Sequence, residues 1–73
     1  MLSVKQFLKN ITPYENVCVE DEDFNVFASG CASDVLMDKA IRGLKIVECH
    51  TGHREFDCNR RTSMCLVIIA RKD

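Results

Sequence analysis

The stretch MCLVIIAR, residues 64–71, contains the longest run of apolar residues in this chain. An apolar run without polar interruptions is typical of a strand that is covered on both faces of a sheet. The segment LKIVECH, residues 44–50, also has the composition of a strand. The two segments therefore predict a hairpin whose second strand lies in the middle of the sheet.

A second hairpin is predicted upstream, around an acidic turn. Segments 15–20 and 24–29 are rich in Val and Phe, and they flank the run Asp21-Glu22-Asp23. Two strand-like segments separated by a few polar residues indicate a β-hairpin. We therefore expect an acidic turn, Asp21-Glu22-Asp23, at the tip of this hairpin.

A short helix is predicted at the start of the chain. Ser3 and Gln6 fit a capping box, in which each side chain bonds to the backbone N–H of the other residue. Apolar residues at helical spacing follow, and Pro13 prevents the helix from continuing. The pattern predicts a helix over residues 3–10.

A second short helix is predicted between the two hairpins. Gly30 is expected to end the preceding strand, and Ser33 is a suitable N-cap. The apolar residues of segment 34–42 favour a helix there, which Gly43 would end. The complete order is αββαββ, a single α+β domain over residues 1–73. We expect a mostly antiparallel four-stranded sheet with two short helices on one face.

Charge is distributed unevenly along the chain, although the formal net charge is only −1. Residues 13–38 include seven acidic and no basic residues, whereas residues 39–73 include eight basic and four acidic ones. The pattern predicts an acidic end and a basic end. The near-neutral total argues against a general nucleic-acid-binding protein, since such proteins neutralise phosphates with many cations.

The expected location of the chain is the cytoplasm. Its first residues do not resemble a signal peptide, and no segment reaches the roughly 20 apolar residues of a membrane-spanning helix. We therefore expect no membrane partner. In a reducing compartment, clustered cysteines indicate metal ligands or reactive thiols before disulfides.

A zinc site is predicted between the strands of the second hairpin. Residues 51–63 would form a loop of 13 residues, which is long for a connection without structure of its own. Four soft ligands with the spacing C-x3-H-x4-C-x6-C could clip this loop to the strand ends as a structural Zn²⁺ site. The predicted ligands are Cys49, His53, Cys58 and Cys65.

Several alternatives to this zinc site remain open. His50 competes with His53 as the histidine ligand. Cys49 and Cys65 could instead be buried thiols or form a disulfide. A catalytic pair of Cys58 with either histidine is the least expected reading, since no known catalytic motif is matched and a domain of this size has little room for a pocket. We therefore expect no enzymatic activity.

Two charged groups are candidate partner-binding residues. The acidic turn, together with Glu20, could bind a partner protein that has a basic surface. Three arginines in the predicted loop could contact phosphate or an acidic surface. In both cases the alternative is a solvated turn or loop. The candidates are Glu20, Asp21, Glu22, Asp23, Arg54, Arg60 and Arg61.

The segments VKQFLKNITPYENVCVED, FASGCASDVLMD, LKIVECHTG and LVIIAR together resemble small proteins encoded by phages of Gram-positive bacteria. The resemblance covers nearly the whole chain and implies an intracellular αββαββ protein. Some small phage proteins of this kind are anti-CRISPR inhibitors, and at least one is zinc-bound. They block RNA-guided nucleases by binding the protein, often through acidic surfaces.

The resemblance implies a non-enzymatic phage protein that acts in the cytoplasm of a bacterial host. It would bind a type II CRISPR nuclease and block a step such as target-DNA loading, with structural zinc stabilising the fold. The resemblance implies no catalytic residues. The alternative is a zinc-containing nucleic-acid-binding or transcription-regulating module that uses the loop arginines, although we do not expect direct nucleic-acid binding.

Overall fold

The structure, a computed structural model, describes residues 2–56 and 61–72 and has the predicted element order αββαββ. A 3-10 turn lies between the second helix and the third strand. The elements are α1 Val4–Leu8, β1 Asn16–Glu20, β2 Val26–Cys31, α2 Ala32–Leu36, the 3-10 turn Lys39–Ile41, β3 Leu44–Phe56 and β4 Arg61–Lys72. The prediction of a small α+β fold with two short helices is confirmed.

The four strands form one mixed sheet with the order β2-β1-β4-β3. Strand β1 pairs antiparallel with β2, and β3 pairs antiparallel with β4, whereas the central strands β1 and β4 are parallel. The sheet is therefore mostly antiparallel, as predicted, and β4 is a central strand, as its apolar run indicated. The parallel pair was not predicted, because each hairpin specifies only its own internal pairing.

Both faces of the two central strands are buried. One set of alternating residues, which includes Val17 and Ile68, packs under the helices in the main core. The opposite face of the sheet has a second, smaller buried cluster, although the described chain places no helix over it. This cluster consists of Cys18, Cys65, Val67 and Ile69. Burial on both faces explains why β4 has no polar alternation.

Helix α1 begins where the capping box predicts. Ser3 Oγ accepts a hydrogen bond from the Gln6 backbone N–H at 3.1 Å, and Gln6 Oε1 accepts one from the Ser3 backbone N–H at 3.4 Å. The helix ends at Leu8, earlier than predicted. There the side-chain amide of Asn10 donates to the Gln6 carbonyl at 2.9 Å, and it replaces the backbone N–H that a longer helix would supply.

The predicted bounds of the second helix, residues 34–42, are wrong. Helix α2 begins earlier, with Cys31 rather than Ser33 at the N-cap. The segment is then interrupted at Asp38, whose extended backbone caps the separate 3-10 turn and whose Oδ1 accepts from the Ala40 N–H at 2.8 Å. No helix in the described residues is long and apolar enough to cross a membrane.

The hairpin of β1 and β2 also differs from the prediction at two positions. Phe24 was predicted inside the second strand, but it precedes the strand and has a positive φ of 68°. Gly30 was predicted to end the strand, but it lies inside β2 opposite Val17. Its φ of 134° is a backbone conformation that residues with a side chain rarely adopt.

The predicted 13-residue loop between the last two strands is wrong. The ladder of β3 and β4 continues through it, pairing His53 with Met64 and Phe56 with Arg61. A continued ladder satisfies backbone N–H and C=O groups that a long loop would have to satisfy in other ways. Backbone pairing therefore stabilises this segment, and the argument that a long loop needs a zinc ion to hold it no longer applies.

Candidate functional site

The predicted zinc ligands on the two strands are not brought together. The register pairs Gly52 with Cys65 and Cys49 with Ile68. Since side chains alternate between the two faces of a strand, Cys49 and His53 lie on one face of the hairpin and Cys65 on the other. Cys65 is buried, whereas the other two are exposed. The prediction that strand pairing places Cys49 beside Cys65 is therefore wrong.

Zinc binding itself stays a prediction, because Cys58 lies outside the described residues. Within the described part of the chain, no three His, Cys, Asp or Glu side chains are grouped closely enough to hold a metal ion. The competing ligand His50 pairs with Val67 and so shares a face with Cys65. Cys49 and Cys65 are both free thiols, so the alternative of a disulfide between them is not observed.

Glu20 was predicted on an exposed partner-binding surface, and this prediction is wrong. Its exposed fraction is only 2%. Arg54 Nε donates to Glu20 Oε2 at 2.6 Å, and Arg54 Nη2 donates to Glu20 Oε1 at 3.2 Å. The guanidinium reaches from edge strand β3 across β4 to β1. This two-point ion pair compensates for burying a carboxylate, which would otherwise be strongly unfavourable.

Burial and the ion pair together shift the pKa values of the neighbouring groups. The hydrogen bonds from Arg54 hold the pKa of Glu20 below its ordinary value. Cys18 Sγ donates to Glu20 Oε2 at 3.1 Å. Burial and this carboxylate raise the pKa of Cys18 to about 12, and burial also raises the pKa of Cys65. Both thiols therefore remain protonated and lack the character of a nucleophilic thiolate.

Gly52 makes room for the ion pair on the same face of the sheet. A Cβ atom at this position would lie 3.1 Å from Val67 Cγ2 and 3.4 Å from Arg54 Nη1. A side chain here would therefore crowd Val67 first and would also contact the Arg54 guanidinium. The glycine thus leaves space beside the Arg54 side chain, which pairs with a residue two strands away.

The acidic turn is held in one conformation by its first residue. Asp21 Oδ1 accepts from the backbone N–H groups of Asp23 and Asn25, at 2.8 and 2.9 Å, and Asp21 Oδ2 accepts from Asn25 Nδ2 at 3.1 Å. These bonds lower the pKa of Asp21. Glu22 and Asp23 are exposed. Of the three acidic residues, Asp21 thus serves the turn, and the other two are available to a partner.

The turn presents an exposed aromatic residue beside its carboxylates. Phe24 is 74% exposed and has a left-handed backbone conformation that is rare for a bulky residue. Its N–H donates to the Asp21 carbonyl at 3.1 Å, and the Asp21 N–H donates to the Asn25 carbonyl at 2.9 Å, which closes the turn around it. The side chain is therefore displayed by a well-bonded backbone.

Within residues 2–56 and 61–72, the predicted separation into an acidic end and a basic end is not observed. Strands β1 and β4 are parallel, with Glu20 beside Ile69, so the acidic turn lies at the end of the sheet where β4 reaches Arg71 and Lys72. Glu15 lies at the other end of β1, where its carbonyl accepts from the first N–H of α2 at 2.8 Å. Opposite charges are therefore neighbours at the end that has the turn.

The three candidate arginines have different positions. Arg54 is engaged by Glu20 and is therefore occupied within the chain. Arg60 lies outside the described residues. Arg61 begins β4, paired with Phe56 at the end of the hairpin. The described structure thus gives Arg54 a structural contact instead of the predicted contact with a partner.

Sequence reasoning missed both the ion pair and Phe24, although signals for each are present. Val17 and Val19 mark one face of β1, so Cys18 and Glu20 had to share the other, and a carboxylate that is buried on a sheet face needs a cation. The segment DEDFN, residues 21–25, has Asp and Asn at positions typical of a side-chain-bonded turn.

The chain matches no protein-family model, and no curated protein and no solved structure matched it either.

Proposed function

We propose that this chain is a small non-enzymatic binding protein that docks its acidic turn on a basic surface of a partner protein. The observation that carries the proposal is the fixed turn itself. Asp21 accepts two hydrogen bonds from the turn backbone and one from the Asn25 side chain, so Glu22 and Asp23 are displayed without a large loss of loop entropy on binding. Exposed carboxylates of this kind steer a cationic partner toward the turn.

The resemblance to small phage proteins gives the narrower proposal. The partner would be an RNA-guided type II CRISPR nuclease, whose nucleic-acid-binding channel is strongly basic. The chain would occupy part of that channel and block target-DNA loading, without cleaving anything. Charge complementarity supports this choice, since a fixed group of carboxylates can take the place of nucleic-acid phosphates.

The test is a titration of a guide-loaded type II nuclease with the chain, followed by a DNA-cleavage assay. We expect a stable complex and inhibited cleavage. Reversing two exposed charges, Glu22→Lys with Asp23→Lys, should weaken the complex by about tenfold or more. Asp21 and Glu20 stay unchanged in this variant, because they hold the turn and the sheet.

A matched control reverses two carboxylates at the other end of the β1–β2 hairpin, Glu15→Lys with Asp34→Lys. Both residues are exposed. Each variant replaces two carboxylates with two lysines, so the net charge changes equally in the two variants. If the turn variant binds the nuclease more weakly than the control does, binding is assigned to the turn. Equal affinities of the two variants would mean that only total charge matters. Circular dichroism of each variant shows whether the fold is retained.

A further inference from the structure

A shallow groove lies beside the acidic turn, on the sheet face opposite the helices. It is formed between this turn and strand β3, and its volume is about 230 Å³. This volume is below the roughly 300–1,000 Å³ of typical small-molecule sites and suits a single long side chain. The lining residues are Glu22, Phe24, Val47, Glu48, His50 and Ile69.

The groove combines an apolar surface with carboxylates on opposite sides. Phe24 and Val47 are exposed large apolar residues, at 74% and 40%, and Ile69 of central strand β4 contributes to the lining between them. Glu22 comes from the turn and Glu48 from β3. The carboxylates of such a surface repel phosphate. A neutral apolar group would leave these carboxylates without a partner.

We infer that this groove binds an arginine side chain projecting from the partner protein, with the arginine stem over the apolar surface and the guanidinium between Glu22 and Glu48. The inference deepens the proposed function and rests on it. Arginine has the required combination of an apolar stem and a planar cation that donates several hydrogen bonds. Lysine has the charge but makes weaker stacking and two-point contacts.

Phe24 contributes a second attraction to the same cation. A guanidinium within about 6 Å of an aromatic face is attracted to the ring. Phe24 has a positive φ, a backbone conformation that Gly or Asn adopts at a lower energetic cost than a bulky residue. An exposed aromatic residue in this conformation, at the edge of the groove, is consistent with a contact made by the ring itself.

The ion pairs described around the groove leave its carboxylates available. Glu20, which lies deeper in the same face, is already neutralised by Arg54. His50 Nε2 lies 3.8 Å from Glu48 Oε1, and both side chains remain about half exposed or more. Among the described ion pairs, Glu22 has no cationic partner. An incoming guanidinium therefore does not have to displace a strong ion pair of the described residues.

The probe for this site is the capped peptide acetyl-Gly-Arg-Gly-amide, titrated into the ¹⁵N-labelled full chain and followed by amide chemical shifts. We expect saturable shifts at Phe24, Glu48 and Ile69. The citrulline peptide has nearly the same shape without the charge, and its affinity should be lower by about tenfold or more. Equal affinities of the two peptides, or chemical-shift changes confined to other surfaces, would contradict arginine binding in the groove.

Two variants separate the groove from the proposed function. Glu48→Gln and Phe24→Ala should each weaken the arginine peptide severalfold, while the control Glu15→Gln leaves its affinity unchanged. If the affinity of the protein complex depends on Glu22 and Asp23 but not on Glu48 or Phe24, the groove does not bind an arginine of the partner, and the proposed function stands. If the peptide binds as expected and no nuclease complex forms, the proposed nuclease-inhibiting function fails and the groove stands.

Discussion

Arg54 Nε lies 2.6 Å from Glu20 Oε2, so that a side chain from the edge strand β3 is bonded to a carboxylate on β1, two strands away. The pair lies over the smaller buried cluster, which no described helix covers. It thereby ties the β3–β4 hairpin to the rest of the sheet.

Removing one partner of this pair should destabilise the domain. We expect Glu20→Gln to lower the free energy of unfolding by about 1.5–3 kcal/mol, the range for a hydrogen bond to a charged group. The expectation stays below the cost for fully buried pairs, because about a third of the Arg54 side chain is exposed to solvent. Urea denaturation followed by circular dichroism measures the change.

A double-mutant cycle with Arg54→Ala checks that the cost belongs to the pair. If Glu20 and Arg54 act together, the double variant is less destabilised than the sum of the two single variants. Simple additivity would show that the ion pair contributes nothing beyond the packing of its two side chains.

Stability should also fall in acid because of Glu20. The pKa of this carboxyl is lowered in the folded chain from an ordinary value of 4.5, so the folded state favours its charged form. The resulting stabilisation is fully present above pH 4.5 and is lost as the pH falls through the folded pKa. Unfolding free energies measured from pH 6 to about pH 2 should therefore show a slope that is smaller in Glu20→Gln. Identical slopes in the two proteins would contradict this assignment.

The cysteines should differ in their reactivity. Cys18 and Cys65 are buried, and their raised pKa values keep them protonated, so both should react slowly with iodoacetamide at pH 8 in the folded chain. Cys31 and Cys49 are more accessible and should be labelled first. Mass spectrometry of digests taken over time measures each site. Rapid labelling of Cys18 would contradict the described core, and unusually fast labelling of Cys58 would favour a thiol enzyme.

Zinc binding is tested by native mass spectrometry of protein that has never been exposed to chelator. Because Cys65 lies on the face opposite Cys49 and His53, we expect Cys65→Ser to leave any bound zinc in place. Loss of the metal in this variant would require a register different from the one described. A native mass equal to that of the bare chain would remove the zinc prediction altogether.

The parts of the fold that depend on local pattern were predictable from the sequence. The run in MCLVIIAR indicated a central strand, and Ser3 with Gln6 marked the first helix start. The extent of the second hairpin was not predictable in the same way. Residues 51–56 have mixed polarity, because this part of β3 extends beyond the helices, and a polar extended strand resembles a loop in sequence.

The candidate site was predicted in part, for a related reason. Acidic residues at a hairpin tip are visible in sequence, but their roles depend on where each side chain points. Glu20 is directed to the sheet face and Asp21 to its own turn, which leaves Glu22 and Asp23 exposed. The partner of Glu20 is 34 residues away, and only the parallel pairing of β1 with β4 brings the two segments together.

In the proposed function, exposed carboxylates of the acidic turn dock on a basic protein surface. The most direct test of this docking is the association rate constant with a guide-loaded type II nuclease, measured over a range of salt concentrations. We predict a rate that falls steeply as salt increases, and a variant Glu22→Gln with Asp23→Gln that associates more slowly and with a shallower salt dependence. The same rate and the same salt dependence in both proteins would contradict the claim.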